Sequence, residues 1–346
     1  QVRGLNVAAR NANDGISLAQ TAEGALAKVG DMLQRMRELA VQAANTTNSA
    51  DDRKALQAEV SQLRDEIDRV AKGASFNGKK LLDGSFTAAS FQVGANSGDA
   101  ITVGSLTDAR AAGLAKIAYA QATVAVDTNA TGFSDYGNAI GASVLKIDPD
   151  GSAGPLVAIE LGPIAAANSG LERLGQVIEA INRKTADTGV SAFVVDKGNG
   201  VFDIELVSSK TDPTTGSALV PALVDFTTAL TGIDSSTMSA FQAANGKGID
   251  TLDITTEKGT WIAIKKIDSA IDQINSARGK LGAVQSRFES AVANIQIQAE
   301  NTAASRGRIM DADFASETAN LSRAQILQQA GTAMVAQANQ LPQQVL

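Results

Sequence analysis

The first third of the chain carries apolar residues at spacings of three and four. The pattern runs from Ile16 to Ala44 and consists of Leu18, Ala22, Ala25, Val29, Leu33, Met36, Ala40 and Ala43. This spacing places the apolar side chains on one face of an α-helix. It predicts a long amphipathic helix.

A second helix is predicted after the polar break NTTNSADD. The Asn and Ser residues of this break are suited to cap a helix, and its Asp residues to occupy the first turn. The apolar positions that follow alternate in steps of four and three, as in a heptad repeat, at Leu56, Val60, Leu63, Ile67 and Val70. Gly73 is the predicted end of this helix.

A third long helix near the other end repeats the heptad pattern, with Ile264, Ile267, Ile271, Ile274, Leu281, Val284, Phe288, Val292 and Ile295. Polar residues fill its other positions, which favours a core stripe over a ligand site. Two helices near the start and one near the end are therefore expected to form one bundle. This assignment predicts that Ile271→Asp unfolds the bundle, because it buries an unpaired charge.

The remaining segments predict strands and an inserted domain. Turns are expected at Asn77-Gly78 and Asp83-Gly84, followed by a pair of strands in FTAASFQVG and DAITVG. From about residue 106 to 252 the chain is rich in Gly, Thr, Ser, Asp and Ala, which indicates a separate module. It contains the strand-like LVAIEL, the helical GLERLGQVIEAINRKTA and the hairpin SAFVVDKGNGVFDIELVSS with a KGNG turn.

The tail after Arg306 has a different composition. Its helical stripe consists of Leu321, Ala324, Leu327, Met334, Ala338 and Leu341, and no charge follows Arg323. Such a helix can pack on several sides without burying an ionised group. We therefore predict a subunit interface at Leu321, Leu327, Met334 and Val335. The alternative is that the tail folds back onto its own bundle.

Composition restricts the function. The 346 residues include no Cys and no His, which excludes an HExxH zinc site, a Ser-His-Asp triad and a Cys-His pair. No carboxylate pair is recognisable as a glycosidase site from its spacing. We predict that the chain is not an enzyme. A net charge of -7 argues against nucleic acid as a partner.

Neither a membrane span nor a strong metal site is predicted. The longest uncharged run, from Ala324 to Leu346, contains eight Gln and Asn residues, which hydrocarbon would not accept. Weak calcium candidates are Asp148 and Asp150 in IDPDGS, and Asp196 and Asp203 in DKGNGVFD. Neither motif has the twelve-residue loop with its closing Glu, and Asp-Gly turns are common without metal. No other cofactor is expected.

Several long motifs at both ends resemble bacterial flagellin, the subunit of the flagellar filament. They are RNANDGISLAQTAEGAL, LQRMRELAVQAANTTNSADDR, LQAEVSQLRDEIDRVAKGASFNGKKLLDG, SARGKLGAVQSRFESAVANI and SRAQILQQAGTAMVAQANQLPQQVL. The resemblance implies a mainly α fold, in which a discontinuous bundle of long, coiled-coil-like helices with a β-hairpin carries an inserted α+β domain and a C-terminal helical tail.

The resemblance also implies domain boundaries. Residues 1–104 and 255–305 are expected to form the helical core domain, residues 105–254 the variable outer domain, and residues 306–346 half of the innermost filament layer. The other half is expected to precede residue 1, so that the chain would be N-terminally truncated.

By resemblance, the chain self-assembles through its terminal helices into a secreted filament on the bacterial cell surface, which serves motility. Head-to-tail contacts that do not close generate such helical polymers. The implied partners are other flagellin subunits, an export chaperone, and the cap and hook-junction proteins. Two alternatives stay open, a surface adhesin whose insert binds a glycan and an enzyme within the insert.

An innate immune partner is implied as well, because in many flagellins the RELAVQ stretch binds a Toll-like receptor. The matching positions here are Arg35, Leu39 and Glu59. Arg35 and Leu39 are four residues apart and so lie on one side of the predicted helix. The alternative is that these residues serve filament packing alone.

Overall fold

The computed structural model describes residues 1–149, 158–212, 214–233, 239–241, 248–310 and 314–340. The helices are α1 (Val2–Ala43), α2 (Ala50–Gly73), α3 (Gly170–Arg183), the single turns α4 (Thr185–Thr188) and α5 (Thr228–Thr231), α6 (Glu257–Met310) and α7 (Phe314–Gln340). All four long helices that the apolar spacing predicted are present. The fold class is confirmed.

The strands are short and form four antiparallel sheets. They are β1 (Ser75–Phe76), β2 (Lys79–Lys80), β3 (Ala89–Gln92), β4 (Ala100–Val103), β5 (Tyr119–Asp127), β6 (Lys146–Asp148), β7 (Ile159–Glu160), β8 (Val190–Gly198), β9 (Val201–Ser208), β10 (Ala222–Val224) and β11 (Ser239–Phe241). The sheets have the orders β1-β2, β3-β4, β10-β6-β7 and β11-β5-β9-β8.

The described chain divides into two units. The first contains residues 1–16, 90–102 and 286–346, and the second contains residues 17–89 and 103–285. Each unit has its own buried apolar residues. In the part of the chain that the structure describes, no helix is long and apolar enough to cross a membrane.

In the second unit, α1, α2 and the first half of α6 contribute one buried apolar stripe each. From α1 and α2 these residues are Leu18, Ala22, Leu26, Val29, Leu33, Met36, Leu39, Ala40, Ala43, Val60, Ile67 and Ala71, and from α6 they are Ala263, Ile267, Ala270, Ile274, Ala277 and Leu281. The many alanines allow helix backbones to approach closely. The predicted bundle of two early helices and one late helix is thereby confirmed.

One detail of the heptad assignment was wrong. Ile264 and Ile271 are only half-buried, and the neighbouring Ala263 and Ala270 occupy the fully buried positions. An Asp at position 271 could turn towards water, so we no longer expect Ile271→Asp to unfold the bundle. Ile274, one turn further along α6, is 1% exposed and is the more sensitive site.

Helix α2 begins where its sequence predicted. The Ser49 hydroxyl accepts the backbone N–H of Asp52 at 3.2 Å, and the Asp52 carboxylate accepts the backbone N–H of Ser49 at 3.1 Å. This reciprocal capping box satisfies two N–H groups that a helix start leaves unpaired. The same hydrogen bonds, first the one from the Ser49 side chain, lower the pKa of Asp52.

The first unit is packed around an aromatic contact. The rings of Phe91 and Phe288 meet edge to face with centroids 5.4 Å apart. A Cβ atom on Gly15 would lie 2.5 Å from the Phe288 ring, so this helix position requires glycine. Leu5, Ala8 and Ile295 form a second small cluster in the same unit.

The insert is an α+β module in which α3 packs against the four-stranded sheet. Its core contains Leu174, Val177, Ile181, Val190, Ile204 and Leu206. Strands β8 and β9 form the predicted hairpin, joined by Asn199 and Gly200, which both have positive φ as a type I′ turn requires. Strand β5, which lies beside β9, was not predicted, although YAQATVAVD shows the alternation of a strand.

Polar side chains of the helices hold both connections to the insert. On the outgoing side, the Asp68 carboxylate accepts the N–H of Ala111 at 2.8 Å. On the returning side, the Gln57 amide accepts the N–H of Ile254 at 2.8 Å and donates to the carbonyl of Leu252 at 3.1 Å. Backbone groups that no strand partner satisfies are thus paired by the bundle.

We predict that Ile274→Asp lowers the free energy of unfolding by about 3 kcal/mol or more, because it places an unpaired carboxylate in the seam between α1 and α6. Urea unfolding followed by circular dichroism measures this. Val41→Asp is the matched control, since Val41 lies on α1 and is 50% exposed. Equal stabilities of the two variants would refute the burial of Ile274.

A second prediction concerns acid. Partial burial of Asp68 opposes its ionisation, but hydrogen bonds from Lys72 and from the N–H of Ala111 outweigh this and lower the pKa of Asp68 below its ordinary 3.8. A lowered folded-state pKa stabilises the fold above pH 3.8, and this contribution is lost as pH falls towards the folded-state value.

Asp68→Asn should therefore reduce stability by about 1 kcal/mol at pH 7, and the difference from the unsubstituted chain should shrink below pH 4. The measurement is chemical unfolding between pH 7 and pH 2.5. A difference that stays constant over this range would mean that the ionised carboxylate does not stabilise the outgoing connection.

Candidate functional site

The residues predicted as a subunit interface are exposed on α7. Leu321, Leu327, Met334 and Val335 have exposed fractions between 60% and 74%. Every side chain described in this helix, from residue 314 to 338, is exposed.

The apolar residues of α7 lie on more than one face. Leu327 and Met334 are seven residues apart and share a face, and so do Leu321 and Val335, which are fourteen apart. At 100° per residue the two pairs are separated by roughly a third of a turn, and Ile326 lies opposite Val335. A helix that is apolar all round is normally buried on several sides.

Four further exposed apolar residues in this region were missed by the sequence analysis: Ile309, Met310, Phe314 and Ile326. Ile309 and Met310 belong to α6 and Ile326 lies away from the stripe, whereas Phe314 lies seven residues before Leu321 and extends its face. The signal that could have found them is the composition of the tail, in which apolar residues are frequent at every angular position.

The receptor candidates are only partly brought together. Arg35 Nε donates to Glu59 Oε1 at 2.9 Å, and Arg35 Nη1 donates to Glu38 Oε2 at 3.0 Å. The hydrogen bonds to Glu38 and Glu59 raise the pKa of Arg35 above its ordinary value. Leu39, however, is 1% exposed and belongs to the bundle core. Arg35 and Glu59 alone are available at the surface.

Of the two calcium motifs, the structure describes both aspartates of DKGNGVFD but only Asp148 of IDPDGS. Asp150 lies outside the described residues. Asp203 pairs with Val195 across β8 and β9, so that Asp196, the next residue of β8, points to the other face of the sheet. Asp203 also contacts Lys197 Nζ at 2.9 Å. Among the described residues, no group of three or more acidic side chains is arranged to hold a metal ion.

Family comparison identifies both ends of the chain. Residues 1–87 match the bacterial flagellin N-terminal helical region, and residues 264–346 match the bacterial flagellin C-terminal helical region. These segments contain α1, α2, most of α6, and α7. The intervening residues correspond largely to the inserted module.

Whole-chain comparisons agree. The chain is 39% identical to flagellin B of Vibrio anguillarum over 346 residues, covering 100% of this chain and 84% of that protein. It is 34% identical to the B-type flagellin of Pseudomonas aeruginosa over 429 residues, covering 100% and 88%. Among solved structures, FliC from Burkholderia pseudomallei aligns over 79% of this chain and 100% of that chain, with 26% identity and a TM-score of 0.44. The chain belongs to the bacterial flagellins, the structural subunits of the flagellar filament.

Proposed function

We propose that α7 drives polymerisation by packing against several helices of neighbouring subunits at once. The observation that supports this is a 27-residue helix that is exposed along its described length and apolar on more than one face. Transferring such a surface from water to a protein interface is favourable by about 25 cal/mol per Å² of apolar area. Leu321, Leu327, Met334 and Val335 are the proposed interface residues.

The charge distribution favours the same role. No described residue of α7 beyond Arg323 is ionised, and Gln, Ala, Gly331, Thr332 and Asn339 fill the positions between the apolar residues. Several copies can therefore meet along this helix without desolvating a charge, and amide side chains can pair with one another. In this arrangement the chain acts as a structural element without catalytic activity.

Exposed apolar helices promote non-specific aggregation in the cell. A subunit that is exported before it assembles therefore requires a partner that covers α7, which fits an export chaperone. Outside the cell, the last and first subunits of a homopolymer leave α7 surfaces open, which fits capping and hook-junction partners. We propose these partners, and a location on the bacterial surface, on this basis.

The test compares two substitutions of exposed leucines. Leu327→Asp should abolish polymerisation or reduce it at least about tenfold, because the new carboxylate would be desolvated in the interface. Leu171→Asp is the control, since Leu171 is 55% exposed on α3 of the insert and is not proposed as an interface residue. Sedimentation and electron microscopy after seeding with preformed filaments measure the outcome.

Circular dichroism should show the same helix content in both variants, since neither leucine is buried. Normal filaments from Leu327→Asp would contradict the proposed role of α7. Equal loss of filaments in both variants would also contradict it, because a charge at any exposed position would then be enough to prevent polymerisation.

We propose a second, narrower function for the surface formed by Arg35 and Glu59, which is recognition by a Toll-like receptor. The supporting observation is that these residues, one from α1 and one from α2, meet at 2.9 Å on an exposed surface. Leu39 contributes by holding α1 in the bundle and not by direct contact.

The double variant Arg35→Ala/Glu59→Ala should raise the protein concentration needed for half-maximal signalling by about tenfold, as loss of charged interface residues commonly does. A reporter cell line carrying the receptor measures this. Lys28→Ala/Asp31→Ala removes a comparable exposed ion pair from α1 and should have no effect. An unchanged response from the Arg35→Ala/Glu59→Ala variant would mean that Arg35 and Glu59 do not contribute to receptor recognition.

A further inference from the structure

The methionines of this chain differ sharply in exposure. Four of the five lie in the part of the chain that the structure describes. Met36 is 0% exposed in the bundle, and Met32, on the same helix, is half-buried. Met310, at the end of α6, is 69% exposed, and Met334 on α7 is 74% exposed. Reagents dissolved in water can therefore reach the side chains of Met310 and Met334, whereas the bundle shields that of Met36.

A methionine thioether is oxidised by hydrogen peroxide. The sulfur forms a bond to one peroxide oxygen as the O–O bond breaks, so that the sulfur becomes a sulfoxide and the peroxide is reduced to water. The proton on the transferred oxygen passes to the departing hydroxide. Cysteine thiolates commonly react first, but this chain contains no Cys. Exposed methionines are thus the side chains that peroxide modifies most readily.

Met334 has small, uncharged neighbours on its helix. A helical side chain leans towards the N-terminus of its helix and covers the residues three and four positions earlier, which here are Gly331 and Ala330. A Cβ atom on Gly331 would meet no side chain and no other segment within 4 Å, so this stretch of α7 is open. Gln337, which has an amide donor, lies on the C-terminal side, away from the direction in which Met334 leans. Only water is therefore placed to donate a hydrogen bond to a sulfoxide oxygen at this position.

Met310 has different neighbours, and this makes it an internal control. Arg306 and Gly307 lie four and three positions before it, and Arg308 lies two positions before it. Guanidinium groups carry several N–H donors, so a sulfoxide oxygen at Met310 has polar partners besides water. Met310 lies outside α7 and is not a proposed interface residue. Two methionines of similar exposure therefore differ in what their oxidation should change.

We propose that Met334 is an oxidation site whose conversion to the sulfoxide blocks polymerisation through α7. This inference rests on the proposed function of α7. The thioether is apolar and fits irregular interfaces, whereas the sulfoxide oxygen is an acceptor that must lose its hydration when a neighbouring subunit covers Met334. Leu327, seven positions earlier on the same face, provides no donor either. Peroxide around a growing filament thereby stops the addition of subunits.

The first measurement locates the modification. Hydrogen peroxide is applied to the free full chain and then removed, and peptide mass mapping follows the gain of one oxygen atom at each methionine. Met310 and Met334 should be oxidised at least about tenfold faster than Met36, because susceptibility follows exposure. This readout requires no assembly, so it is independent of the proposed function of α7. Equal rates at Met36 and Met334 would overturn the assignment of the site.

The second measurement is seeded polymerisation, followed by sedimentation. Peroxide-treated subunits should yield at least about tenfold less filament than untreated subunits. Met334→Leu keeps the apolar volume without a sulfur atom, so it should polymerise equally well before and after treatment. Met310→Leu is the matched control and should remain as sensitive to peroxide as the unsubstituted chain. Reduction of treated subunits by the two methionine sulfoxide reductases, one for each sulfoxide epimer, should restore polymerisation.

Two outcomes of the second measurement would overturn the inference and leave the role of α7 intact. If subunits that carry the sulfoxide at Met334 polymerise as well as untreated subunits, the thioether does not lie in a contact that excludes water. If peroxide reduces polymerisation equally in Met334→Leu and in the unsubstituted chain, the damage lies elsewhere. Failure of the proposed function is recognised separately, because Leu327→Asp would then form normal filaments without any peroxide.

Discussion

The apolar seam between α1 and α6 is the contact on which the other features depend. It joins residues more than 200 positions apart, as the surface pairs Arg37–Asp268 at 2.6 Å and Glu23–Arg278 at 2.8 Å illustrate. The first of these ion pairs is exposed and the second is half-buried, and such pairs contribute little stability themselves. The stabilisation comes from burial of side chains such as Leu33, Met36 and Ile274. Closure of so long a loop costs only slightly more entropy than closure of a short one, so a large insert is tolerated between the helices.

With α6 held against α1, α2 and α6 lie side by side in the bundle. Both connections to the insert therefore begin at neighbouring helices. Gln57, Asp68 and Gln273 then pair with backbone groups of those connections. The ion pair between Lys258 and Glu205, 2.6 Å long and largely shielded from water, adds a contact between α6 and the four-stranded sheet. The insert has a hydrophobic core of its own, lies in the same unit as the bundle, and is held by specific polar contacts to the helices.

The chain contains two kinds of apolar helical surface, which differ in whether the subunit itself buries them. In the bundle, apolar residues share one face per helix and are buried within the subunit. In α7 they occupy several faces and remain exposed. A single chain cannot cover a helix on all sides when the rest of its apolar surface is already paired, whereas neighbouring copies can. Membership in the flagellin family agrees with this division.

Local patterns determined much of this protein from the sequence alone. The helices follow from the three-and-four spacing, the start of α2 from Ser49 and Asp52, and the β8–β9 hairpin from Asn199-Gly200, since each depends on residues that are close in the chain. The exposed tail was likewise visible as an uncharged segment with Gln and Ala between its apolar positions.

Only the tertiary structure decided which side of each helix is buried. Periodicity defines an apolar face to within about one residue, and the packing partner sets the final rotation of the helix. For this reason Ala263 and Ala270 are buried in place of Ile264 and Ile271. Leu39 is buried in the bundle for the same reason. Strand pairing is non-local as well. The place of β5 in its sheet could not be read from neighbouring residues, because it depends on which distant segments pair with it.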